Sequence, residues 1–101
     1  MNEIPVYNGY VISSIFLLEP QEFGNPGKRL YPNGIELQLA HGRNGIIRWK
    51  ITDSTWTLNH KGQWEYEPNP SSRTDAYFRR CRFNSIDEAL EIWNRYKDKL
   101  L

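Results

Sequence analysis

Between residues 35 and 39 apolar and polar side chains alternate, with Ile35, Leu37 and Leu39 pointing one way and Glu36 and Gln38 the other. A period of two is that of a strand with one buried face. Asn44-Gly45 then supplies two residues that tolerate positive φ, a strong hairpin signal. On the return Ile47, Trp49 and Ile51 repeat the apolar face, with Arg48 and Lys50 outside. The pattern predicts antiparallel strands over about 35–41 and 45–52. After Asp53-Ser54 the phase slips by one residue, which makes Trp56 and Leu58 the inward pair. A bend, bulge or tight turn must sit at the slip, because otherwise the apolar set is carried into water. Further strands are predicted over about 55–59 and 63–67, joined through "NHKG". Pro68 and Pro70 end the last of them, since neither has a backbone donor for the ladder.

Upstream, "YVISSIFLL" at 10–18 carries apolar residues at both parities, which predicts a strand buried on both faces. Residues 19–34 form a long loop dense in Gly, Pro and Asn, and connections of that length are often functional. At the other end "SIDE" is a capping box in which the Ser85 hydroxyl accepts from the Glu88 amide. Ile86, Ala89, Leu90, Ile92, Trp93, Tyr96 and Leu100 follow as one helical stripe, so a helix over 85–100 lies on the sheet. Between prolines and helix, Ser72 and Asp75 suit the start of a short helical turn over 73–78. "RCRF" then reads as a strand over 80–83, with Cys81 and Phe83 inward and Arg80 and Arg82 outward. The expected fold class is α+β: an antiparallel sheet of four or five strands, one face covered by the C-terminal α-helix, the other facing water.

Composition sharpens this. A chain of 101 residues is one domain of ordinary size, 1–101, and 14% aromatic residues give it a core from few side chains. A net charge of +1 argues against a general polyanion binder, because phosphate affinity scales with the cations presented. The single cysteine, Cys81, can form no internal disulfide, which fits a cytoplasmic protein. The apolar run over 11–18 is too short to span a bilayer, so no membrane association is expected.

No catalytic or metal-binding constellation emerges. His41, His60 and Cys81 lack metal-ligand spacing, and both histidines read as turn residues. "GNPGK" lacks the phosphate-loop spacing and the Ser or Thr after its lysine. Glu65 and Glu67, two apart on a strand, share an exposed face and have no apolar pocket to set their pKa values apart. The expectation is therefore no enzyme and no cofactor.

What stands out is "WEYEPNPSSRTDAYFRRCRF" at 64–83, which gathers Arg73, Arg79, Arg80 and Arg82 around Tyr77. Two readings are open. The arginines pair with Glu65 and Glu67 as a ladder between neighbouring strands. Or they form, with Tyr77, a recognition patch for an acidic partner or a phosphate backbone. In the second reading Phe23, Lys28, Arg29 and Tyr31 of the long loop complete the contact surface. At the same residues "W-x-Y-E-P-x-P-S-S-R" followed by "R-F-x-S-x-x-E-A" resembles a run found in small uncharacterised bacterial and bacteriophage proteins. The resemblance covers the C-terminal third and implies a microbial or phage accessory protein, with no activity attached to any residue. The expected function is a small protein-binding domain with an unidentified protein partner, as monomer or homodimer. The alternative is single-stranded nucleic-acid binding by the same arginines, with Tyr77 stacking on bases.

Overall fold

The computed structural model describes residues 4–17 and 34–100. Among these residues seven strands and two α-helices follow one another: β1 (Val6–Tyr7), β2 (Tyr10–Val11), β3 (Ser14–Phe16), β4 (Glu36–His41), β5 (Ile47–Asp53), β6 (Trp56–Leu58), β7 (Trp64–Tyr66), α1 (Asp75–Cys81) and α2 (Ile86–Leu100). The strands β3-β4-β5-β6-β7 make a five-stranded antiparallel sheet in sequence order, and β1-β2 form a separate hairpin. The class is α+β. Among the described residues no helix is long and apolar enough to cross a membrane.

Turn chemistry sets the register. Asn44 and Gly45 both take positive φ (58° and 72°), and the Gly42 amide donates to Ile46 O across the turn (2.6 Å). That geometry pairs Leu37 with Ile51 and Leu39 with Trp49, so the apolar residues of both strands share one face. The phase slip at Asp53-Ser54 is a tight turn: Ser54 has φ 58° and Asp53 pairs directly with Trp56. Asn59 organises the next turn, its Oδ1 accepting from the Lys61 and Gln63 amides while Gly62 takes φ 73°.

On the apolar face Leu37, Trp49, Ile51 and Leu58 pack with Phe83 against Ala89, Ile92 and Trp93 of α2. The Ser85 hydroxyl accepts from the Glu88 amide (3.1 Å), and the Glu88 carboxylate reaches back to the Asn84 amide (3.4 Å). The helix stripe read from the sequence is the one that is packed.

Several expectations fail locally. The described part of the run at 10–18, residues 10–17, is two elements: Tyr10 and Val11 pair with Tyr7 and Val6 in an exposed hairpin, and β3 begins only at Ser14. Its turn, Asn8-Gly9, has φ 50° and 84°, the two positive values a two-residue hairpin loop needs. As an edge strand β3 leaves Ile15 and Phe16 only half-buried. Trp56 lies on the apolar face but remains 48% exposed, edge-on to Tyr66 at a ring separation of 6.0 Å. The second face is not left to water either, since Thr57 is fully buried beneath Tyr77 of α1. The predicted strand over 80–83 is instead the end of α1 followed by one bridge, Phe83 to Trp49. Thr74, not Ser72, caps α1 by accepting from the Tyr77 amide (3.1 Å), which carries the helix through Cys81.

That bridge has a geometric cause. β5 pairs with β6 only at Thr52 and Asp53, so the β6-facing edge of β5 is vacant at Trp49. Phe83 fills the edge with two backbone hydrogen bonds to Trp49 (2.8 and 2.9 Å), while the His60 amide donates to Arg80 O (3.0 Å). Residues 80–83 thus wedge between β5 and the turn after β6. A wedge admits one residue pair where a full strand would need parallel edges.

Candidate functional site

The wedge decides where the arginines point. Cys81 and Phe83 both face inward and are fully buried, as the alternation implied. Arg82 does not face outward as expected: only 5% of it is accessible. Its guanidinium donates to Glu67 Oε1 (2.8 Å), His41 O (2.9 Å) and Cys81 O (3.0 Å), and lies 5.4 Å above the Tyr77 ring. A buried guanidinium is tolerable only when its donors are met in this way. Arg80 is exposed but clamped by Glu65, with Nε and Nη2 both donating to the carboxylate at 2.9–3.2 Å. Arg73 donates through Nε to Pro68 O (2.9 Å) and stands 3.7 Å from Glu67.

Glu67 is therefore a hub. Lys50 Nζ (2.8 Å), Arg82 and Arg73 surround its carboxylate, and the Tyr77 hydroxyl donates to it (3.2 Å). Burial pushes the Glu67 carboxyl upward, but hydrogen bonds from Lys50 and Arg82, with their charges, outweigh it and leave the group below the ordinary range. The Arg80 clamp does the same for Glu65. Burial, then the charge of Glu65, pushes the Cys81 thiol up to about 12, so it is an inert core group.

The expectation that four arginines reach solvent as a set does not hold, because three of them are locked within the molecule against Glu65 and Glu67. Tyr77 is 3% exposed and cannot stack on a base. Arg79 alone of the segment is exposed and has no carboxylate in ion-pair range among the described residues. Phe23, Lys28, Arg29 and Tyr31 lie outside the described residues.

Arg79 opens onto a groove of about 440 Å³ between the β4–β5 turn, α1 and the start of α2, lined with Arg43, Arg48, Arg82, His60 and Glu88. Arg43 and Arg48 come from the Asn44-Gly45 hairpin, a part of the sequence that read only as a turn. Their signal was available: a turn flanked by two cations brings both to one end of the sheet. Gly42 is what seats Arg48, for a Cβ there would stand 2.7 Å from Arg48 Cγ. The Arg48 head donates to Ile47 O (3.1 Å). His60 Nε2 lies 2.8 Å from Arg82 O, so that nitrogen carries the proton, and 3.7 Å from Glu88 Oε1. Phe78 and Ile46 give the groove apolar walls.

No family model matches this chain, and no curated protein or solved structure is similar to it. The site has to be read from its own chemistry. Arginine forks in the lining can hold an anion in place.

Proposed function

We propose that the protein is a small protein-binding domain of accessory type that seats an acidic segment of its partner in the Arg43–Arg48–Arg79 groove. The observation that carries this reading is the make-up of the groove: four arginines line it against the single carboxylate of Glu88, and two of them, Arg48 and Arg79, have no carboxylate in ion-pair range among the described residues. Charge of one sign in a concave surface steers an oppositely charged partner and selects against others. The apolar walls at Phe78 and Ile46 supply contact area beside the charges. An accessory role agrees with the resemblance at 64–89, and a single cysteine, with no internal disulfide to form, fits a cytoplasmic setting.

Arg43→Glu with Arg79→Glu tests the reading. Both side chains are exposed, so melting should move by less than about 4 °C. The set of acidic proteins captured by immobilised protein, identified by mass spectrometry, should be lost. An unchanged captured set rejects the groove as the contact surface. Loss of capture on nuclease treatment, with no response to charge reversal, would favour nucleic acid instead.

A further inference from the structure

The cations around the groove can be matched with carboxylates one at a time. Arg82 is neutralised at 2.8 Å by Glu67 and forms the floor. Arg43 has Asp75 at 3.5 Å, while the Glu88 carboxylate faces the groove 3.7 Å from the His60 ring. Arg48 and Arg79 are left, with no carboxylate in ion-pair range among the described residues. The groove therefore presents two guanidinium groups without an ion-pair partner, against the one carboxylate of Glu88 in its lining.

A carboxylate brings one negative charge and two oxygens. A phosphate monoester carries about −1.5 to −2 at neutral pH and three strong acceptor oxygens. Two planar arginine forks suit the second, because each can donate in parallel to a pair of oxygens on one centre. Arg48 is also held ready: its stem rests where Gly42 has no Cβ, and its head is tied to Ile47 O. Little side-chain freedom remains to be lost when an anion arrives. The volume of about 440 Å³ exceeds what a lone phosphate ion fills. Ile46, 50% exposed, and Phe78 are placed to cover the carbon stem and neighbours of a phosphorylated side chain.

Resting on the reading that the groove docks a partner segment, we propose that its ligand is one phosphorylated side chain of that partner, held by Arg48 and Arg79. The full chain is titrated with four probes: a short phosphoserine peptide, the same peptide with Glu-Glu in place of phosphoserine, inorganic phosphate, and a 5′-phosphorylated oligonucleotide. Binding is followed on the arginine Nε–Hε signals in ¹H–¹⁵N spectra. The phosphoserine peptide should shift Arg48 and Arg79 and bind at least roughly tenfold more tightly than each other probe. Arg79→Gln should weaken it by about tenfold or more, and Arg79→Lys should restore only part, because Lys lacks the fork.

Equal affinity for the Glu-Glu peptide overturns the phosphate inference and leaves the acidic-segment reading standing. Inorganic phosphate binding as tightly as the phosphopeptide overturns the partner-segment element, and tighter oligonucleotide binding overturns it in favour of nucleic-acid ends. An Arg79→Gln variant that binds the phosphopeptide unchanged rejects the assigned residues. No shift with any probe removes this inference and the proposed function together.

Discussion

Gly62 shows how much a single position can carry. It sits in the β6–β7 turn with φ 73°, and a Cβ there would stand 2.3–2.6 Å from three ring atoms of Tyr96. The turn and α2 are thereby pressed together across the edge of the core. Gly62→Ala is expected to destabilise the protein by about 2 kcal/mol or more in urea unfolding, through backbone strain and overpacking together. In a Tyr96→Ala background the same substitution should cost clearly less, leaving the φ penalty; an equal cost would show that Tyr96 is not the obstacle. Arg82 is the polar counterpart of Gly62. Nothing in "RCRF" distinguishes it from Arg80, and only the wedge between β5 and the turn after β6 buries one and exposes the other.

At the scale of elements, α2 was fully legible and α1 only partly. The capping box, the apolar stripe and the terminal charges of α2 are local features whose geometry repeats along any α-helix. Ser85→Ala should therefore cost about 1 kcal/mol and raise amide exchange in the first turn of α2, with exchange in the sheet changing only in proportion to global stability. A loss of several kcal/mol would mean that Ser85 serves in packing beyond the cap. By contrast α1 has seven residues, too few to be stable alone, and its existence depends on Tyr77 reaching Thr57 and Glu67. The strand reading of 80–83 failed for the complementary reason. Alternation in four residues cannot tell a strand from a helix end that feeds one bridge.

For the molecule as a whole, the carboxylates on the second sheet face set the response to pH. Hydrogen bonds from Ser14 and Gln38 lower Glu36, the Arg80 clamp lowers Glu65, and Lys50 with Arg82 lowers Glu67 against the opposing effect of burial. A folded-state pKa below the unfolded one means that the unfolded chain takes up protons first. The stability these groups contribute is fully present above the unfolded value of about 4.3 and is lost as pH falls through the folded values. Urea unfolding followed from about pH 6 to about pH 3 should show that decline. Glu67→Gln should lose about 3 kcal/mol at neutral pH, because the Arg82 charge stays buried without its counter-ion, and should show a shallower acid limb. An acid limb of unchanged slope would place the titrating groups elsewhere.

The chain's own pattern determined the α+β class, the β4–β5 register, the turns at Asn44-Gly45 and Asp53-Ser54, and α2 with the face it buries. Those features are legible because period, turn chemistry and capping act over a few consecutive residues. The pairing of Arg80 with Glu65 and of Arg82 with Glu67 was open in the sequence as one of two readings, and the fold decided it. Of the groove only the pair of cations flanking the Asn44-Gly45 turn was legible, since Arg43 and Arg48 meet Arg79 only when the chain returns from α1 to the edge of β5. Contacts between residues thirty or more apart depend on where strands diverge and what fills the gap, and local sequence holds no record of either.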